Sequence, residues 1–154
     1  MARSISFDPD ALGILALVDE SQVPAVQDAM QGRGWTVWRL DGSNAHDAAG
    51  LFAQADRDLP PPFPQRPARD WTQFADSMWE AVSTSGGETF ALVVTGVHHL
   101  LDGALADLLW GTLALAQLSR SLASPAAPGA PRKTFRLVLA GQGPNFPPLP
   151  AGSG

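Results

Sequence analysis

The chain has no cysteine among its 154 residues. That absence excludes disulfides, thiolate metal sites and cysteine nucleophiles. Positive charge is scarce too: ten Lys and Arg stand against fifteen Asp and Glu, a formal net charge of −5. The balance argues against a phosphate-binding surface, so no nucleic-acid partner is expected, and for a neutral or basic partner. There is no G-x-S-x-G elbow, and His46 falls in the first turn of a predicted helix, a solvated position, so a serine triad is not supported. The opening MARSISFDPD has one arginine and no apolar stretch before its acidic residues. No secretory signal is read there, and a cytoplasmic location is the expectation. Nor is there an uninterrupted apolar run of membrane length. Leu100 to Leu118 contains Asp102, Asp107 and two glycines, so a buried helix is expected and no membrane partner.

What is present alternates between strand-like and helix-like segments. Gly13–Val18 (GILALV) is a short apolar run of strand type, followed by helical spacing from about Ser21 to Gln31 that Gly32 and Gly34 stop. Trp35–Leu40 (WTVWRL) reads as a strand. After the Asp41-Gly42 turn, Ser43 or Asn44 can cap a helix with Ala48, Leu51, Phe52, Ala55 and Leu59 on its apolar face. Pro60–Pro64 forces an extended connection. Asp70 then caps a helix reaching about Val82. Phe90–Thr95 (FALVVT) is a buried strand, Leu100–Leu122 a long helix, and Phe135–Ala140 (FRLVLA) the last strand. The fold class implied is α/β: a small, mostly parallel sheet of three or four strands packed with helices. Residues 1–33 read as a strand–helix extension packed on the core, and 34–140 as the main domain. Within it, 119–133 is expected to be a flexible Pro/Ala-rich loop, and 141–154 a disordered Pro/Gly-rich tail.

Few segments carry chemistry. His98-His99 with Asp102 lacks a third strong ligand at a helical interval, and Asp102 fits a helix start, where negative charge is favoured. Strand FRLVLA followed by GQG resembles a phosphate loop superficially, but Pro144, Pro147, Pro148 and Pro150 prevent the helix that such a loop requires. No metal, cofactor or catalytic constellation is read, and the chain is taken as a non-enzyme. An enzyme using Thr95-Gly96 with His98-His99 at the strand ends is the minor alternative.

The segment Pro64–Val82, PQRPARDWTQFADSMWEAV, stands apart. Trp71, Phe74, Ala75, Met78 and Val82 fall on one stripe of the helix, an inward face. Thr72, Asp76 and Glu80 form a separate i, i+4, i+8 row. Carboxylate rows on exposed helix faces commonly serve solubility, but this one sits behind a proline-rich loop, and Trp79 flanks it at a possible contact rim.

Strand WTVWRLDG, helix, proline-bearing loop, the helix DWTQFADSMWEAV, strand, helix and strand together resemble the barstar family of ribonuclease inhibitors over roughly Gly34 to Ala140. In that family the loop and helix form the inhibitory face, with an aromatic-aromatic-Gly-x-Asn-x-Asp-Ala-Leu/Phe-x-Asp pattern. Laid on it, Asp70 stands at the asparagine and Asp76 at the second aspartate. The aromatic-aromatic-Gly step is Arg66-Pro67-Ala68 here, and the first aspartate is Thr72. The resemblance implies an inhibitor, antitoxin or immunity protein, a monomer when free. It would block a basic ribonuclease or toxin domain by placing carboxylates in a cleft built for phosphate. The partner-binding residues implied are Asp76, Glu80, Thr72, Asp70, Arg69, Arg66 and Gln73. The departures leave a second expectation: the same fold as an interaction module with a non-nuclease partner.

Overall fold

A computed structural model describes residues 13–61, 63, 68–124 and 129–146. The elements run β1 (Leu15–Asp19), a 3-10 turn (Glu20–Gln22), α1 (Val23–Gly32), β2 (Thr36–Asp41), α2 (Ala48–Asp58), α3 (Trp71–Thr84), β3 (Thr89–Thr95), α4 (His98–Gly103), α5 (Leu105–Ala123) and β4 (Thr134–Gly141). The four strands form one all-parallel sheet in the order β1-β4-β3-β2. The fold is therefore α/β, as the alternation of segments implies.

The central strands carry apolar residues at consecutive positions because both of their faces are covered. Phe90, Leu92 and Val94 point into one layer with Leu137 and Leu139. Ala91 and Val93 point the other way. The layers are unequal. One face carries α2, α3, α4 and α5 over a large core that includes Phe52, Phe74, Met78 and Phe135. Each such side chain contributes about 1.5–3 kcal/mol by leaving water. Among the described residues the other face is covered by α1, whose Val23, Val26 and Met30 pack on Trp35, Val93, Val138 and neighbouring small residues. The N-terminal strand and helix thus complete the sheet, with β1 in register against β4 from Leu15↔Leu137 to Asp19↔Gly141.

Several boundaries depart from the sequence expectation, some for a local and some for a tertiary reason. The cap of α2 is Asp47, which accepts from Gly50 N at 2.9 Å. Ser43 instead closes a turn by donating its N–H to Asp41 Oδ1, and His46 lies exposed just before the helix. The long helix expected over Leu100–Leu122 is broken at Ala104 (φ −151°, ψ 52°) into α4 and α5. Asp102 therefore lies near the C-terminal end of α4, not at a helix start. The break lets Asp107 reach back to α2, where its Oδ2 accepts from Ala48 N at 3.1 Å. The loop expected from residue 119 starts later: Ser119–Ala123 complete α5, and Ser119 Oγ donates to Phe135 O at 2.7 Å. Within the tail expected over 141–154, Gly141 ends β4 and Phe146 is buried in the main core; residues 147–154 lie outside the described ones. Where β3 leaves the sheet, Gly96 has φ +69°, and a Cβ there would stand 2.7 Å from Ser43 Cα. Only glycine suits that turn. No helix among the described residues is long and apolar enough to cross a membrane.

Candidate interaction face

Helix α3 is fixed at both ends by side chains. At its start Asp70 accepts from Gln73 N at 2.8 Å, while Gln73 Oε1 accepts from Arg69 N at 2.9 Å. This reciprocal pair satisfies backbone donors that a helix start leaves open. At its end Lys133, the single lysine of the chain, is buried and donates from Nζ to Val82 O at 2.7 Å and Ser85 O at 2.6 Å. A cation is favoured there, because the last carbonyls of a helix carry its negative pole. The stem of Lys133 brings Nζ to 5.4 Å from the centre of the Phe90 ring.

Between these anchors the helix presents two faces. Phe74, Met78, Ala81 and Val82 are buried. Trp71, half-buried, packs edge-on to Phe52 at 4.8 Å and to Phe74 at 5.7 Å. Its ring lies on α5 at Gly111, where an added Cβ would fall 2.6 Å from the indole carbons. That close approach sets α3 and α5 side by side and running parallel: Trp71 meets Gly111, and further along both helices Trp79 and Ser83 flank the same hollow as Ser121 and Leu122. Trp71 Nε1 is buried without a hydrogen-bond partner.

The outward side of the helix pair is a groove of about 360 Å³. Thr72, Ala75, Asp76 and Trp79 line it from α3, and Ala114, Gln117, Leu118 and Ser121 from α5. It continues toward the end of α3 into a second hollow of about 230 Å³, where Trp79 and Ser83 face Ser121, Pro131 and Lys133. Asp76 and Glu80 are exposed, and no carboxylate contact holds either among the described residues. Trp79 is 50% exposed, unusual for the largest apolar side chain.

The expected site residues divide into three groups. Thr72 and Asp76 line the groove, with Glu80 exposed one turn further along but outside its lining. Asp70 and Gln73 are engaged in the helix cap, and the main chain of Arg69 is part of it. These bonds hold α3 in place; Asp70 is the cap expected from the sequence, and Gln73 closes the pair. Arg66 lies outside the described residues. What the sequence reading missed is the α5 wall. Trp110, Ala114, Gln117 and Ser121 fall at i, i+4, i+7 and i+11, and the last three line the groove. Trp110 continues that row and is 65% exposed. The polar residues Gln117 and Ser121 recurring at helical spacing with Trp110 were the available signal.

Other parts of the surface offer less. A hollow of about 440 Å³ near the ends of β2 and β3 is lined by Glu20, Arg39, Asp41, Ser43, Asp58 and Thr95. Its carboxylates fasten loops: Asp58 accepts from Asp41 N at 3.0 Å and from Gln54 Nε2 at 2.8 Å, and Asp41 from Ser43 N at 2.9 Å. Hydrogen bonds from the Ser43 side chain and backbone hold the Asp41 carboxyl below its ordinary pKa, and Arg39 adds a smaller push the same way. His98 Nδ1 accepts from Gln142 N at 3.1 Å, and its ring lies 4.1 Å from that of His99. Among the described residues no three His, Asp or Glu side chains gather as a metal site. The enclosed cavity under Trp71 holds only about 20 Å³ and is lined mainly by apolar side chains such as Leu40, Leu92 and Leu108. It has room for about one water, and the Thr112 hydroxyl that also lines it already donates to Leu108 O at 2.8 Å.

A scan against protein-family models finds none that matches this chain, and a search of characterised proteins finds no match either.

Proposed function

We propose that this protein is a barstar-like inhibitor, an antitoxin or immunity protein that blocks a basic ribonuclease or toxin domain with the outward face of α3. One observation carries the reading: Asp76 and Glu80 stand exposed, with no partner among the described residues, on a helix fixed at both ends beside a groove rimmed by Trp79. A ribonuclease cleft must be cationic to hold phosphate, so fixed carboxylates there replace the substrate's charge. Pre-ordering α3 through Asp70, Gln73 and Lys133 lowers the entropy lost on docking. Exposed tryptophan beside the charges supplies the kind of side chain that dominates interface energies. The element order through β2, α2, α3, β3, α5 and β4 supports the same reading.

Thr72 in place of a carboxylate favours a second reading, an interaction module of this fold whose partner is not a nuclease. The two separate on one experiment. The purified protein is titrated into a small basic guanyl-type ribonuclease, following both RNA cleavage and binding. Inhibition that weakens at high salt and falls at least tenfold with Asp76→Ala supports the first reading. Partners that bind the Asp76→Ala and Glu80→Ala variants as tightly as the parent would show that this face is not the site. Binding without inhibition would favour the module.

A further inference from the structure

Seven large apolar side chains are exposed among the described residues, and only Trp79 of these lies on α3. The others belong to two elements: Leu15 and Leu17 on β1, and Leu105, Leu109, Trp110 and Leu113 on α5. Trp110 continues the groove wall described above. The five leucines, each 39–60% exposed, lie elsewhere.

Their placement follows from the sheet. β1 is the edge strand beside β4, and α5 packs on β4 with α3 on one flank. Buried Leu108, Leu115 and Leu122 give the inward direction of α5, and the groove row gives its α3 flank. Helical geometry then turns Leu105 and Leu109 to the opposite flank, the β1 side, with Leu113 on the outward surface next to them. In the parallel register Leu15 and Leu17 pair with Leu137 and Leu139, which point into the α5 layer. Leu15 and Leu17 therefore face that layer too, at a margin that no helix among the described residues covers.

The backbone of β1 is open along the same margin. Leu137 N donates to Ile14 O at 2.8 Å, so Ile14, Ala16 and Val18 turn their peptide groups toward β4. Leu15 and Leu17 turn theirs outward, and no strand among the described residues lies beyond them. Edge strands are usually protected by lysine, proline or a bulge. LALVD has none of these, and its one charge stands at the end.

We propose that this margin, the β1 edge with the adjoining flank of α5, is a two-fold surface for a second copy of this chain. An antiparallel pairing centred on Leu17 places Leu17 opposite its counterpart, each exchanging an N–H···O=C bond with the other. Leu15 then faces the partner's Asp19, so the two Asp19 carboxylates stand at opposite ends of the ribbon and do not meet. Both copies of α5 lie on the same side of the joined eight-stranded sheet, and their leucine flanks close over the seam. The apolar area these leucines leave exposed is on the order of 400 Å² per copy, about half of the ~800 Å² a stable partner buries. The paired backbone and its polar rim supply the remainder. The α3 groove lies on the other flank of α5 and stays open, so the pairing leaves the inhibitory face free while departing from the monomer that the resemblance implies.

Sedimentation velocity of the full chain, over a wide range of concentration, tests it. The expected species has twice the 16.2 kDa chain mass. Leu17→Pro removes an outward N–H that makes no bond among the described residues, and Leu109→Glu charges the helix flank at an exposed site. Each is expected to return the species to the single-chain mass with an unchanged far-UV circular dichroism spectrum. A parent chain that stays at 16.2 kDa throughout, or a dimer that survives in both folded variants, would overturn the proposal.

Discussion

Gly111 is the point where helix propensity and packing oppose each other, and the sign of one substitution reports which dominates. Replacing a mid-helix glycine by alanine ordinarily gains about 1 kcal/mol. Here the new methyl would stand 2.6 Å from two carbons of the Trp71 ring and 2.8 Å from a third, well inside van der Waals contact. The ring has little freedom to withdraw, because Phe52 and Phe74 hold it at 4.8 and 5.7 Å. Overpacking of this kind costs about 1–3 kcal/mol. Gly111→Ala should therefore destabilise the protein by roughly 1 kcal/mol net. In a Trp71→Ala background the obstacle is gone, and the same substitution should stabilise by up to about 1 kcal/mol. Urea unfolding of the four proteins of this cycle measures the coupling, expected at about 1–3 kcal/mol. If Gly111→Ala stabilises both backgrounds equally, Trp71 does not rest on α5 as described, and the close α3–α5 approach that forms the groove is wrong.

Two further perturbations concern the end of α3 and the turn after β2. Lys133→Met keeps the buried stem but removes the ammonium from the carbonyls of Val82 and Ser85, and should lower the unfolding free energy by about 2 kcal/mol; a loss below about 0.5 kcal/mol, the usual range for surface changes, would refute the anchoring role. Asp41 has a folded-state pKa below its unfolded one through Ser43, so its contribution is present above the unfolded value near 3.8 and is lost as pH falls through the lower folded value. Asp41→Asn should flatten that part of the acid limb of stability against pH, and an unchanged limb would contradict the Ser43 contact.

The sheet was legible because its signals are local. FALVVT and FRLVLA carry consecutive apolar residues, which strands covered on both faces require, and GILALV carries enough of the same pattern to be found. Asp70 was legible as a cap because its bond to Gln73 N spans only three residues. Apart from the cap of α2, which Asp47 makes locally with Gly50 N, the failures turn on partners distant in sequence. Ser119 looks like the beginning of a polar loop, yet its hydroxyl reaches the carbonyl of Phe135. Lys133, in a proline-rich stretch, reads as solvated until the end of α3 is set beside it. The run from Leu100 to Leu118 reads as uniformly buried, but a helix lying over β4 with α3 on one flank can hide only part of its circumference. Leu105, Leu109, Trp110 and Leu113 are what remains outside. Of the interaction face, the α3 half was visible as a row of residues at helical spacing. The α5 half emerges only when Gly111 brings the two helices together.

The burial of Lys133 has a practical consequence. Because the sequence contains no other lysine, the folded protein offers amine-directed reagents no freely accessible side-chain ammonium. Acylation of that one residue becomes a clock for the separation of β4's entry strand from the end of α3. A ligand gripping the α3 face should slow that clock, giving a label-free partner a readout at a single position.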